Sequence, residues 1–330
     1  MTLRNNVLTA VMVTGLLVTT IGTASASFPG QDTVSFVRYN GADTRTFEMR
    51  PNGTEEHKVF GPAKGSFVYA AEMSSDGRRF VFSASDGTQF DLFVKRIGGG
   101  TKQITDTPNR NEYSPMWSPE GDIVVFMETD EVTYSAIVRR DADGSRRREI
   151  HSTEANYLLF PSVSPDGQRV LFSAPRGGAA RGDGNYDLMT KRIDGTGRRW
   201  LTETPTNEIA GDWSPDGDRV AYLTAAAMMS PSLGSGLPTL SAAPGIRGPA
   251  PVQPVYSIRS EGGGKRLITD KPGINGRVMY TPDGKRVMFS RLTSETMDLV
   301  STPVGGGVLK RLTETTKTYN AFDLFQILPT

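Results

Sequence analysis

Short apolar runs, each announced by a polar turn, recur along the chain. The clearest is Val220-Ala221-Tyr222 behind Ser214-Pro215-Asp216-Gly217. The same order appears as Ser164-Pro165-Asp166-Gly167 before Val170-Leu171-Phe172, and as Thr281-Pro282-Asp283-Gly284 before Val287-Met288-Phe289. Ser118-Pro119-Glu120-Gly121 precedes Val124-Val125-Phe126, and Ser75-Asp76-Gly77 precedes Phe80-Val81-Phe82. Pro at the second turn position presets φ, Ser or Thr suits the first, and Gly suits the fourth. The run that follows is β-branched or apolar and ends in an aromatic, so it can bury both faces as a short strand. Met73, Trp117, Val163, Trp213 and Tyr280 close an apolar stretch just ahead of each turn, which predicts strand, turn, strand.

A second hairpin follows each unit. Asp91-Leu92-Phe93 leads through Gly98-Gly99-Gly100 to Gln103-Ile104-Thr105, Asp187-Leu188-Met189 through Asp194-Gly195 to Leu201-Thr202, and Asp298-Leu299-Val300 through Gly305-Gly306-Gly307 to Leu312-Thr313. Ala136-Ile137-Val138 and Tyr256-Ser257-Ile258 head the same pattern. Each unit therefore holds four antiparallel strands, a to d. The turn glycines 77, 121, 167, 217 and 284 lie 44, 46, 50 and 67 residues apart, near the period of a four-stranded propeller blade. The last spacing is long because residues 225–254, rich in Ala, Pro, Ser and Gly, form an inserted loop.

Thr33 to Phe60 supplies strands b, c and d without a preceding a, and Tyr319 to Leu328 supplies one strand after the last complete unit. Joining them predicts an all-β, six-bladed β-propeller of four-stranded antiparallel blades, its ring closed by the C-terminal strand completing the N-terminal blade.

Composition changes this picture little. The 330 residues are 37% hydrophobic and 22% charged, with a formal net charge of +1 and no basic block, so no nucleic-acid footprint is expected. Arg4, the apolar stretch Val7 to Ile21 and Ala24-Ser25-Ala26 read as an export signal over residues 1–26, leaving 27–330 as the propeller, periplasmic or extracellular and not membrane-spanning once processed. The chain has no Cys, so ring closure has to stand in for disulfides.

The Ser-Pro-Asp-Gly turn before Arg-Val-x-Phe, with Asp-Leu-x-Val and Leu-Thr behind it, resembles the WD40-like (PD40) repeat of the TolB propeller family. The resemblance runs from about residue 32 to 328. It implies a secreted or periplasmic interaction propeller. The propeller follows the leader directly, without the α/β domain that precedes it in TolB, which separates the resemblance from TolB's role in the Tol–Pal envelope system.

Candidate chemistry is sparse. His57 and His151 are isolated, the nucleophile elbow Gly-x-Ser-x-Gly is missing, and no cofactor or metal is expected. Asp183-Gly184-Asn185-Tyr186-Asp187 starts like a calcium loop, but Leu188 stands where the loop needs Gly. Asp166, Asp216 and Asp283 suit hydrogen bonding to backbone N–H groups within their own turns. The feature beyond the bare fold is an Asn ahead of each strand a: Asn111, Asn156, Asn207, Asn275 and Asn320, with Glu112 and Glu208 following two of them. They read either as local turn caps or as a polar ring at the channel mouth, beside loops 176–186 and 225–254. The expected function is non-enzymatic: an interaction platform at the cell envelope for a protein, peptide or glycan. The competing expectation is a glycan lyase or hydrolase using Asp, Glu and Tyr at the channel mouth, with Glu112 and Glu208, from blades two apart, as the carboxylate pair to inspect.

Overall fold

The computed structural model describes residues 33–40, 43–61, 67–85, 87–130, 133–154, 158–176, 185–225, 253–271, 273–292 and 297–313, with the backbone of 20–21. Six four-stranded antiparallel sheets account for them. Blade I holds β1 (Thr20–Ile21), β2 (Val34–Asn40), β3 (Asp43–Met49) and β4 (His57–Phe60). Blade II holds β5 (Phe67–Met73), β6 (Arg79–Ser85), β7 (Phe90–Arg96) and β8 (Thr101–Gln103). Blade III holds β9 (Asn111–Trp117), β10 (Ile123–Thr129), β11 (Ser135–Asp141) and β12 (Arg148–Thr153). Blade IV holds β13 (Leu159–Val163), β14 (Arg169–Pro175), β15 (Tyr186–Arg192) and β16 (Arg199–Trp200). Blade V holds β17 (Asn207–Trp213), β18 (Arg219–Ala225), β19 (Val255–Arg259) and β20 (Arg266–Thr269). Blade VI holds β21 (Ile274–Tyr280), β22 (Arg286–Leu292), β23 (Met297–Pro303) and β24 (Lys310–Arg311).

In blades II to VI the apolar run of the second strand is buried on both faces. Phe82, Phe126, Phe172, Tyr222 and Phe289 are at most 6% exposed. The preceding turn is built identically in four blades. Ser74, Ser164, Ser214 and Thr281 each donate to the Asp two residues on, and that Asp accepts the backbone N–H of Arg78, Gln168, Asp218 or Lys285 at 3.0 Å. In blade III Glu120 replaces that Asp, and Ser118 donates to Asp122 instead.

Ring closure is visible at the VI–I boundary. Val34, Phe36 and Met49 of blade I share one core with Met279, Met288, Leu299 and Leu312 of blade VI. Lys310 donates to the Asn52 carbonyl at 2.9 Å. Gly53, at φ +87°, lies so close that a Cβ there would meet the Leu312 carbonyl oxygen at 2.7 Å.

The first blade differs from the sequence expectation in one respect. Residues 319–328 lie outside the described residues, and the strand paired to the inner edge of β2 is β1, with Thr20 opposite Val37 and Ile21 opposite Phe36. An open strand edge accepts the backbone of any extended segment, so strand pairing alone does not single out 319–328. The 225–254 insertion begins where β18 ends and finishes before β19; residues 226–252 are outside the described set.

Candidate functional site

Antiparallel alternation puts the b–c loops and d–a links at one end of the ring and the a–b and c–d turns at the other. The described candidates, Asn111, Glu112, Asn207, Glu208 and the backbone of Asn275, belong to the first end. Asn111 and Asn207 open β9 and β17, yet neither simply caps its own turn. The Oδ1 of Asn111 accepts the N–H of Phe90, and that of Asn207 the N–H of Tyr186, both at 2.8 Å across a blade boundary. The asparagine links the inner strand of one blade to the third strand of the blade before it. Asn275 lies opposite Arg291 in the β21–β22 pairing; its side chain, Asn156 and Asn320 are outside the described residues.

Glu112 and Glu208 are both fully buried, and they lie at different boundaries. At the II–III boundary Thr105 donates to Glu112 Oε2 at 3.1 Å and accepts the Leu92 N–H at 2.7 Å. Burial, then the nearby charge of Asp91, pushes the Glu112 carboxyl up to about 8, with Glu128 adding to the effect. Glu128 itself is paired with Arg147 at 2.7 Å. At the IV–V boundary Thr206 donates to Glu208 at 2.8 Å, and Thr202 accepts the Leu188 N–H at 2.8 Å. Burial, then the hydrogen bond with Glu208, pushes the Asp187 carboxyl up to about 6. Blade VI repeats the device with Thr313 on Leu299 and Asp298. The recurrent Leu-Thr and Asp-Leu pairs are therefore halves of one hydrogen-bonded unit, a link that spacing alone did not reveal.

The histidines stay apart from this. His57 is exposed beside Glu48 at 3.6 Å, while burial and the charges of Lys191 and Arg198 hold His151 down at about 4. Of the calcium-like loop, 183 and 184 are outside the described residues. The described residues contain no cluster of three or more His, Asp or Glu able to hold a metal.

The sequence reading missed the centre of the ring. The inner strands of blades II to VI each carry a bulge, with Ser114, Phe160 and Ala210 at φ +50 to +54°. Glu72 and Asp212, one residue before Met73 and Trp213, accept the backbone N–H of Trp117 and Tyr280 in a neighbouring blade, at 2.6 and 3.3 Å. Ser162 donates to Asp212 at 2.8 Å, and Arg277 Nη2 donates to the Pro161 carbonyl at 3.0 Å. Burial pushes the Asp212 carboxyl up to about 6 despite those partners.

A groove of about 480 Å³ opens on the b–c and d–a face of blade II, lined by residues that include Thr88, Gln89, Asp91, Phe93, Gln103 and Asp106. Gln89 Nε2 holds Asp91 at 3.1 Å.

No protein-family model matches the chain. It is 25% identical over 181 residues to the Tol-Pal system protein TolB of an Anaeromyxobacter species, covering 54% of this chain and 37% of that one. It is 32% identical over 63 residues to dipeptidyl-peptidase 5 of Porphyromonas gingivalis, 19% of this chain and 9% of the relative. The chain thus spans well under two thirds of either relative. Among solved structures, TolB from Acinetobacter baumannii superposes with a TM-score of 0.66 at 15% identity, over 84% of this chain and 63% of that one. An oligogalacturonate lyase in complex with manganese superposes at 0.59 with 14% identity, over 94% and 89%. With six closed blades of the same repeat and these likenesses in sequence and structure, the chain has a TolB-like β-propeller fold.

Proposed function

We propose that the chain is an exported, non-enzymatic interaction platform at the cell envelope, taking an envelope or secreted protein, peptide or glycan on its b–c and d–a face. The observation that carries this reading is the burial of Glu112 and Glu208 in two different blade boundaries. Two carboxyls serving a glycosidic bond must flank it from a shared cavity, about 5–10 Å apart. These two instead accept hydrogen bonds from threonines of the preceding links, Thr105 to Glu112 and Thr206 to Glu208. The apolar stretch Val7 to Ile21 with Ala24-Ser25-Ala26 supports export, and likeness to the Tol-Pal protein supports an envelope role. The second reading, glycan turnover, draws on the lyase neighbour's fold alone.

Site-specific photo-crosslinking in the native envelope tests the platform. A crosslinker at exposed Thr88 should trap a discrete partner, while one at exposed Glu120, on the opposite face, should not. Equal trapping from both faces, or turnover of envelope polysaccharide by the purified chain, would overturn the proposal.

A further inference from the structure

Two large apolar side chains that stand exposed among the described residues, Leu267 at 47% and Val308 at 84%, line one groove of about 740 Å³ between blades V and VI. The repeat supplies its own control. By the strand registers, Leu267 takes the place of Lys58, Gln103, Glu149 and Arg311 in blades I, II, III and VI. Blade IV has Trp200 there, partly buried and packed against the main core. Val308 stands two residues before Lys310, which pairs with Ser301. The same count gives Glu55, Gly100, Arg146, Gly197 and Gly264 in the other five blades. Exposed aliphatic groups thus occupy places that most blades keep polar or leave to glycine.

The turn carrying Val308 departs from the repeat as well. In the other blades an N–H closes it: Arg50 onto Thr54, Arg96 onto Gly100, Asp141 onto Ser145, Arg192 onto Thr196 and Arg259 onto Gly263. Pro303 fills that place in blade VI and has no N–H to give. From this turn the groove runs to the d–a link of blade V, where its charged lining is Lys271 and Arg291 against Asp270. Its wall includes β20, the outermost strand of blade V, and an extended segment can lie along such a sheet edge. Leu267 and Lys271 are four residues apart, which is about 13 Å of extended chain. Apolar wall at one end and net positive charge at the other complement a segment that carries aliphatic side chains and then a carboxylate.

We infer that the groove between blades V and VI receives an extended segment of a partner protein. Its aliphatic side chains cover Leu267, Val308 and Leu309, and an Asp or Glu about four residues on reaches Lys271 and Arg291. This rests on the reading of the chain as a binding platform and specifies the chemistry of one partner.

The test uses the purified chain and the peptide fluorescein-Ser-Leu-Thr-Val-Ser-Glu-Ser-amide, read by anisotropy at low and moderate salt. Alternation along an extended chain puts its Leu, Val and Glu on one face. Leu267→Gln installs the residue that blade II already carries at this place, so it should weaken binding at least tenfold with an unchanged melting temperature. Lys271→Gln, at an exposed position, should weaken binding severalfold and flatten its salt dependence. A peptide with Gln for Glu should bind severalfold more weakly, and one with Ser for Leu and Val not at all. Undiminished binding to Leu267→Gln, or equal binding of the Gln peptide, overturns the inference. So does a dimer of the chain that Leu267→Gln abolishes, because the occupant is then a second copy. A crosslink from a photo-reactive residue at Val308 to residues 226–252 or 314–330 of the same chain also overturns it, because the chain then covers its own groove. If the peptide fails while Thr88 still traps a partner, this site falls and the platform stands. If neither occurs, both fall.

Discussion

Arg277 of blade VI reaches Pro161 of blade IV, its Nη2 donating to that carbonyl oxygen at 3.0 Å, so one side chain ties together inner strands two blades apart. The same guanidinium lies near the buried carboxyl of Asp212 and favours its charge. Arg277→Met should therefore destabilise the fold by about 1–3 kcal/mol, the cost of unmade hydrogen bonds to a charged group. The sign of the pH effect follows from Asp212. Its folded value is raised, so its protonated form favours folding, and that contribution is lost as pH rises through about 6. Without Arg277 the loss deepens. Urea midpoints should fall more at pH 8 than at pH 5, and Asp212→Asn should restore much of the difference.

Glu112 imposes a similar slope at higher pH. Its folded value of about 8 against an ordinary value of 4.5 means that the folded chain holds a proton the unfolded chain has released. Stability should decline as pH rises between those values and level off above them. Glu112→Gln keeps the shape without the charge, so it should raise the melting temperature at pH 8 and change it little at pH 4.5. A melting temperature at pH 8 no higher than wild type would disprove the burial argument.

Two glycines with positive φ separate backbone strain from steric contact. Gly98, at φ +68°, has nothing within 4 Å of the place a Cβ would take, whereas at Gly53 a Cβ would lie 2.7 Å from the Leu312 carbonyl oxygen. Gly98→Ala should cost about 1 kcal/mol, the strain of a left-handed alanine. Gly53→Ala should cost clearly more, because it pushes blade I from blade VI where the ring closes. Equal denaturation midpoints for the two variants would refute a tight closure.

Asn207→Ala tests the asparagines as blade links. It removes the acceptor of the Tyr186 N–H, and both residues are 4% exposed. A buried donor left unmet costs about 1–3 kcal/mol, so stability should drop even without a partner. Unchanged stability would return Asn207 to a ligand role.

Turn residues make the repeat readable because their chemistry is local. The Pro, Asp and Gly of Ser214-Pro215-Asp216-Gly217 each act within four residues, and the bonds of Ser214 and Asp216 follow from that. The hairpins and blade count are legible for the same reason. The roles of Asn207, Glu112 and Thr105 were not, since their partners Tyr186, Asp91 and Leu92 belong to a neighbouring blade or to a strand 13 or more residues away.

The sequence by itself thus determined six antiparallel blades, through turn geometry and apolar runs whose physics is short-ranged. Only the tertiary structure decided what the polar residues do. Ring closure brings Arg277 to Pro161 and buries Glu112 beside Asp91. The strand registers show Gln103 where blade VI has Arg311. The energy of a buried charge or hydrogen bond depends on neighbours that the ring brings together and on the water it excludes, and neither is written in local spacing.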